Sequence, residues 1–71
     1  MQIDGYLTAD QVCELLAAAC AAAGGQAAWA ETHGVSPAYV GDVLHGRRAP
    51  GASIQHGLGV ERVELYRRIR W

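Results

Sequence analysis

The chain contains no Lys and no Phe, only two Pro and only two Cys among its 71 residues. Each scarcity excludes something. Two cysteines are too few to staple a small secreted domain, which usually needs several disulfides. If Cys13 and Cys20 share a helix, about 10 Å of helix axis separates them. That exceeds the roughly 7 Å a disulfide can span, so a bridge within the helix is excluded. The expectation is two free thiols in a reducing, cytoplasmic setting. No C-x₂₋₄-C or H-x₃₋₅-H spacing occurs, so neither a zinc site nor any other cofactor is expected. No basic stretch leads into an apolar run and a cleavage site, and no apolar run reaches about 18 residues. Neither a signal peptide nor a membrane span is expected. A chain this short forms one domain and buries only about 60% of its unfolded surface. It lacks room for a nucleotide-binding sheet or a deep catalytic cleft, and it is not expected to be an enzyme or to bind a small molecule.

What is abundant is Ala, Gly and Arg. Hydrophobic residues make up 51% of the chain. Many of them are Ala, the strongest helix former, which favours an all-α fold. The core is expected from Leu, Val, Ile and Ala, with Trp29 as its largest piece. Formal charge is −1, and all six basic residues are Arg. That mean hides a dipole. Residues 1–46 carry Asp4, Asp10, Glu14, Glu31 and Asp42 and no Arg; residues 47–71 carry every Arg against only Glu61 and Glu64.

Local signals predict four helices and a strand. Thr8 and Gln11 have capping-box spacing, and Asp10 suits the first turn of the helix they open. Val12, Leu16, Ala19 and Ala23 form its stripe, flanked by Leu15 and Cys20, and Gly24 stops it. A second helix runs from about Gln26 to His33 and ends at Gly34. A third has Ser36 as N-cap and Pro37 in its first position, with Tyr39, Val40, Val43 and Leu44 as its period. Residues 51–58 read as a short, weak helix with Ile54 and Leu58 facing the core. From Val60 onward the period changes to alternation: Val63, Leu65, Ile69 and Trp71 share one face with Arg67. This predicts a strand over about 61–70. The opening residues, 1–7, leave open a tuck of Ile3 and Leu7 onto the core or a short strand from Met1 to Ile3.

The spacing between residues 26 and 50 carries most information. Gln26, Ala30 and Gly34 recur every fourth residue, followed by Val35-Ser36, Val40, Val43-Leu44, Gly46, Arg47-Arg48 and Pro50. Two helices that cross through a short turn need a small residue at the crossing, a Gly in the turn and apolar residues facing back. Ala30, Gly34, Val40 and Val43 meet those needs.

The segment QAAWAETHGVSPAYVGDVLHGRRAP resembles the phage Cro and repressor family of helix-turn-helix domains, and the likeness extends over about residues 8–60. The resemblance implies a mainly α, four- to five-helix Cro/repressor-like domain over residues 1–71. Its motif spans about 26–45 and its C-terminal strand serves dimer contact through Val63, Leu65, Ile69 and Trp71. It implies a cytoplasmic, nucleoid-associated regulator, of phage or prophage type, binding double-stranded DNA as a homodimer. By the same resemblance Gln26 anchors a phosphate, and Ser36 to Asp42 form the recognition helix, with Pro37, Ala38 and Gly41 at reading positions. Arg47 and Arg48 touch backbone phosphate, and His45 can reach one. Many relatives carry Gln, Ser or Arg where this chain has Pro37 and Ala38, neither of which makes bidentate base contacts. Tyr39 could stack on a sugar or donate its hydroxyl, Ala38 could meet a thymine methyl, and Asp42 could accept from a cytosine amino group or repel phosphate. Modest direct readout shared with shape readout is therefore expected. Arg67, Arg68 and Arg70 have three readings: DNA contact, a solvated face, or pairing with Glu61 and Glu64. The competing function is a phage-encoded protein-interaction module or inhibitor that reuses the fold without specific DNA binding. His33 is expected half-buried and hydrogen-bonded, His56 at the surface, and Cys13 and Cys20 as small packing residues.

Overall fold

The computed structural model describes residues 6–64, 66, 68 and 69. Four helices account for its regular structure: α1 (Ala9–Ala23), α2 (Gln26–His33), α3 (Pro37–Leu44) and α4 (Ala52–Leu58). The capping box opens α1 as the sequence indicates. Thr8 Oγ1 accepts from Gln11 N–H at 3.1 Å, and Gln11 Oε1 accepts from Thr8 N–H at 2.8 Å. Both satisfy donors that a helix start leaves without partners. Ser36 caps α3 in the same way, its Oγ accepting from Tyr39 N–H at 3.1 Å.

All four helices end in one manner. Beyond each, a left-handed glycine donates its N–H three residues back, and the next residue donates five residues back, as in the Gly34→Glu31 and Val35→Ala30 bonds of 3.3 and 3.0 Å. This is the Schellman arrangement, which satisfies terminal carbonyls without borrowing from elsewhere in the chain. At Gly34, φ is +68°, where an L side chain is strained, and the turn there redirects the chain within three residues from α2 into α3.

The core is a single cluster: Leu16, Cys20, Trp29, Ala30, Val40, Val43 and Ile54. α1 packs against each of the other helices, and α2 packs against α3 and α4. The axes of α1 and α2 are bent by 96° at their glycine junction. Ala30, Val40 and Val43 have no exposure, as the spacing argument requires of residues at a close crossing. Along α1 the buried pair is Leu16 and Cys20, while Ala23, expected on the core stripe, is exposed. Leu15 is 41% exposed. Trp29 is core, and the half-buried His33 ring lies 4.1 Å from it, centroid to centroid. α4 can reach this pair only because residue 57 is Gly. A Cβ there would fall 2.9 Å from His33 Nδ1 and 3.0 Å from Trp29 Cζ2. Both cysteines are free thiols, and Cys13 Sγ lies 3.4 Å from the Val43 carbonyl, to which it donates.

The expected C-terminal strand is absent among the described residues. Val60 to Glu64, Tyr66, Arg68 and Ile69 belong to no helix or sheet. Alternation gives a strand two faces but no ladder, and the described part of this all-helical chain provides no second strand to pair with. Val63 and Ile69 are exposed, at 45% and 69%, and so form no contact face within the chain. Leu65 and Trp71, named with them as dimer contacts, lie outside the described residues, as do Arg67, Arg70 and residues 1–5. Among the described residues no helix is long and apolar enough to cross a membrane.

Candidate functional site

Pro at the first helical position and a Ser cap fix where α3 begins, and this start faces solvent: Ser36, Pro37 and Ala38 are all exposed. Gln26 opens α2 and is also exposed. Its side chain lies alongside α3, because a Cβ at Gly41 would sit 3.4 Å from Gln26 Oε1. Gly41 is therefore half-covered and has no open reading position of its own. The fold brings Gln26 beside the middle of α3, at Gly41.

The basic loop after α3 is folded back onto that helix by two of its side chains. Tyr39 and Asp42 are three apart, so they project from neighbouring points of the helix surface. Asp42 Oδ1 accepts from Arg47 Nε at 3.0 Å, and the Asp42 carbonyl accepts from the N–H groups of Arg47 and Arg48 at 2.8 and 3.3 Å. The Arg48 guanidinium lies over the Tyr39 ring, 4.8 Å from its centroid, within cation–π range. The Tyr39 hydroxyl accepts from Gly51 N–H at 2.6 Å. Gln55 Nε2 donates to the Pro50 carbonyl at 2.7 Å. The loop from Gly46 to Gly51 is thus tied at Asp42, Tyr39 and Gln55. His45, exposed just past α3, is also committed in part: its Nδ1 donates to the Gly41 carbonyl at 2.7 Å, which leaves Nε2 outward.

This geometry commits several side chains along α3 to local duties, Ser36 among them as the cap its position indicates. Ser36 Oγ accepts a cap bond, Tyr39 clamps the loop, and Asp42 holds Arg47. Arg47 and Arg48 stay exposed, so the loop presents positive charge while its backbone is fixed. The Tyr39–Gly51 and Gln55–Pro50 ties are the positioning contacts that sequence reasoning missed. Tyr39 reads only as part of a helical period, and neither partner donates or accepts through a motif.

Apart from this surface, a shallow open groove runs between the start of α1 and the segment after α4, lined among others by Leu7, Val12, Val60 and Val63. Leu7 is 47% exposed there. Among the described residues no three His, Cys, Asp or Glu side chains gather as a metal site would require. Burial pushes the Cys20 thiol above its ordinary pKa, so this cysteine is a packing residue and a poor nucleophile. In comparisons with known proteins, no family model, no curated protein and no solved structure matches the chain.

Proposed function

We propose that this protein is a sequence-specific DNA-binding transcriptional regulator, a helix-turn-helix repressor of the Cro type that binds operator DNA as a homodimer. One observation carries the reading: two eight-residue helices, α2 and α3, joined through the left-handed Gly34 and packed through Ala30, Val40 and Val43, with the start of α3 and an adjacent arginine loop both open to solvent. Such an arrangement can place α3 in a major groove while the loop meets the phosphate backbone. Eight residues span about 12 Å, a length the groove admits.

Within this reading Gln26, Arg47, Arg48 and the outward Nε2 of His45 address phosphate. Ser36, Pro37 and Ala38 form the surface nearest the base edges, and Ala38 offers a methyl contact to thymine. Tyr39 and Asp42 contribute mainly by shaping the loop. With so few hydrogen-bonding side chains at the tip of α3, discrimination rests largely on DNA shape. Few cations per chain also make a dimer part of the reading, since two copies double the phosphate contacts and set half-sites about 34 Å apart. Leu7 and Val63 at the open groove supply exposed apolar surface for such pairing.

The test is footprinting on the DNA flanking the protein's own gene at about 0.1 M salt, with nanomolar to micromolar protein. A protected, two-fold symmetric site is expected. No protection on any such duplex would refute the proposal. The acidic first 46 residues and the apolar Pro37–Ala38 tip favour a second reading, a module that binds another protein. A stoichiometric protein partner without salt-dependent DNA binding would select it.

A further inference from the structure

We infer that Asp42 is a positioning residue that acts through Arg47: it holds the guanidinium on the α3 surface and restrains its binding to duplex phosphate. This role rests on the DNA-binding reading above.

Asp42 is a poor choice for building α3. Asp has low helix propensity, and its charge sits near the carbonyl end, where the helix dipole disfavours an anion. Its carboxylate is instead matched to Arg47, and among the described residues this is the one ion pair. The main chain keeps the pair together, because the Asp42 carbonyl also accepts from Arg47 and Arg48 N–H. The two neighbouring arginines are therefore treated differently. Arg48 lies over a neutral ring, while Arg47 has a carboxylate on its Nε.

The pair is also exchangeable. The Arg47 side chain is 62% exposed and Asp42 34% exposed, so water screens their attraction. Arg47 keeps its terminal N–H donors for a phosphate oxygen, since only Nε is engaged. A phosphate that arrives there meets a guanidinium already oriented, but also a nearby negative charge. The first effect fixes register; the second lowers affinity for every duplex equally. A site that offers further contacts to α3 overcomes the restraint, and random sequence does not. Asp42 thus weakens non-specific binding in absolute terms, without touching a base and without changing the ratio of specific to non-specific affinity.

The experiment measures binding of a random-sequence duplex over a salt series for the wild type, Asp42→Asn, Arg47→Gln and the double variant. Asn keeps the size and an acceptor oxygen for Nε but removes the charge. Helical circular dichroism checks that all four fold. Asp42→Asn is expected to tighten binding about threefold, as for release of one exposed ion pair. It should also steepen the slope of log K against log salt by up to about 0.9. In the Arg47→Gln background the same change should do nothing. A purely structural Asp42 would shift the melting temperature and leave the salt slope alone. Unchanged affinity and slope in Asp42→Asn would overturn the inference. So would an equal gain in both backgrounds, because Asp42 would then repel DNA directly. If the wild type binds no duplex even at low salt, the DNA-binding reading itself falls and this role falls with it. Binding by the wild type with no response to Asp42→Asn removes only the inference.

Discussion

The bond between Tyr39 and Gly51 permits a quantitative test, because the same hydroxyl oxygen both accepts a hydrogen bond and fills space. Tyr39→Phe removes the acceptor from a partly buried N–H and keeps the ring under Arg48. An unpaired buried donor costs about 1–3 kcal/mol. Half-burial lets water replace part of the bond, so we expect about 1 kcal/mol, or roughly 4–8 °C in a domain of this size. Gly51→Ala adds a methyl group 2.5 Å from Tyr39 Oη but 3.7 Å from Cζ. The backbone at Gly51 is extended, with φ −82° and ψ −176°, so the substitution meets no conformational strain. Its cost is steric, about 1–3 kcal/mol for overpacking. In the Phe background the hydroxyl is gone and the nearest atom lies at ordinary contact distance. The double variant should therefore be no worse than about 1–2 kcal/mol below the wild type, less than the sum of the single effects by about 1 kcal/mol or more. Urea unfolding of the four proteins, followed by helical circular dichroism, measures the coupling. Additivity within about 0.5 kcal/mol would refute the reasoning, because sites that share no atom add to that precision.

Three further predictions concern packing, titration and binding. Gly57→Ala should gain about 1 kcal/mol in helix propensity yet lower the melting temperature overall, because the new Cβ meets the buried Trp29 ring; a stabilised variant would contradict the close approach of α4. Burial raises the Cys20 pKa from an ordinary value of 9.0, so its contribution to stability is complete below pH 9 and is lost as pH rises through the higher folded value. Urea midpoints should fall in that alkaline window, less steeply in Cys20→Ala, and thiol-labelling reagents should modify the half-buried Cys13 before Cys20. Replacing both Arg47 and Arg48 with Gln should weaken binding to all duplexes alike and flatten the salt slope by up to about 1.8, and a change confined to one sequence would argue that these residues read bases.

Helix boundaries were legible because their signals are local. Thr8 with Gln11, Ser36 with Pro37, and the glycines after each helix act within a few residues of where they stand. Burial at Trp29, Ala30, Val40, Val43 and Ile54 followed from period and from the need for a small residue at the crossing. Ala23 shows where period fails: it lies in line with Leu16 but at the end of α1, where no neighbour covers it. The C-terminal alternation misled for a different reason, since a strand is a property of two segments and the pattern describes one. The site was legible as a surface and not as a set of contacts. That Asp42 would meet Arg47, and Tyr39 meet Gly51, depends on how sharply the chain folds back after Gly46. Such reversals bring together residues five and twelve positions apart, which neither helical nor strand spacing anticipates.

α4 is the shortest helix, its N-cap is Gly51 with no side-chain cap bond, and Gly57 lies within it. These features place it at the low end of local stability, as the unit expected to open before the rest. Its docking also closes the longest loop in the core, bringing Ile54 into the cluster that holds Leu16. When α4 lifts, Gly51 and Pro50 go with it, and the arginine loop loses its anchor at Tyr39. A ligand that requires an ordered loop therefore draws on the free energy of seating α4. Binding and hydrogen-exchange protection of α4 should then rise and fall together, although the helix itself need never touch the ligand.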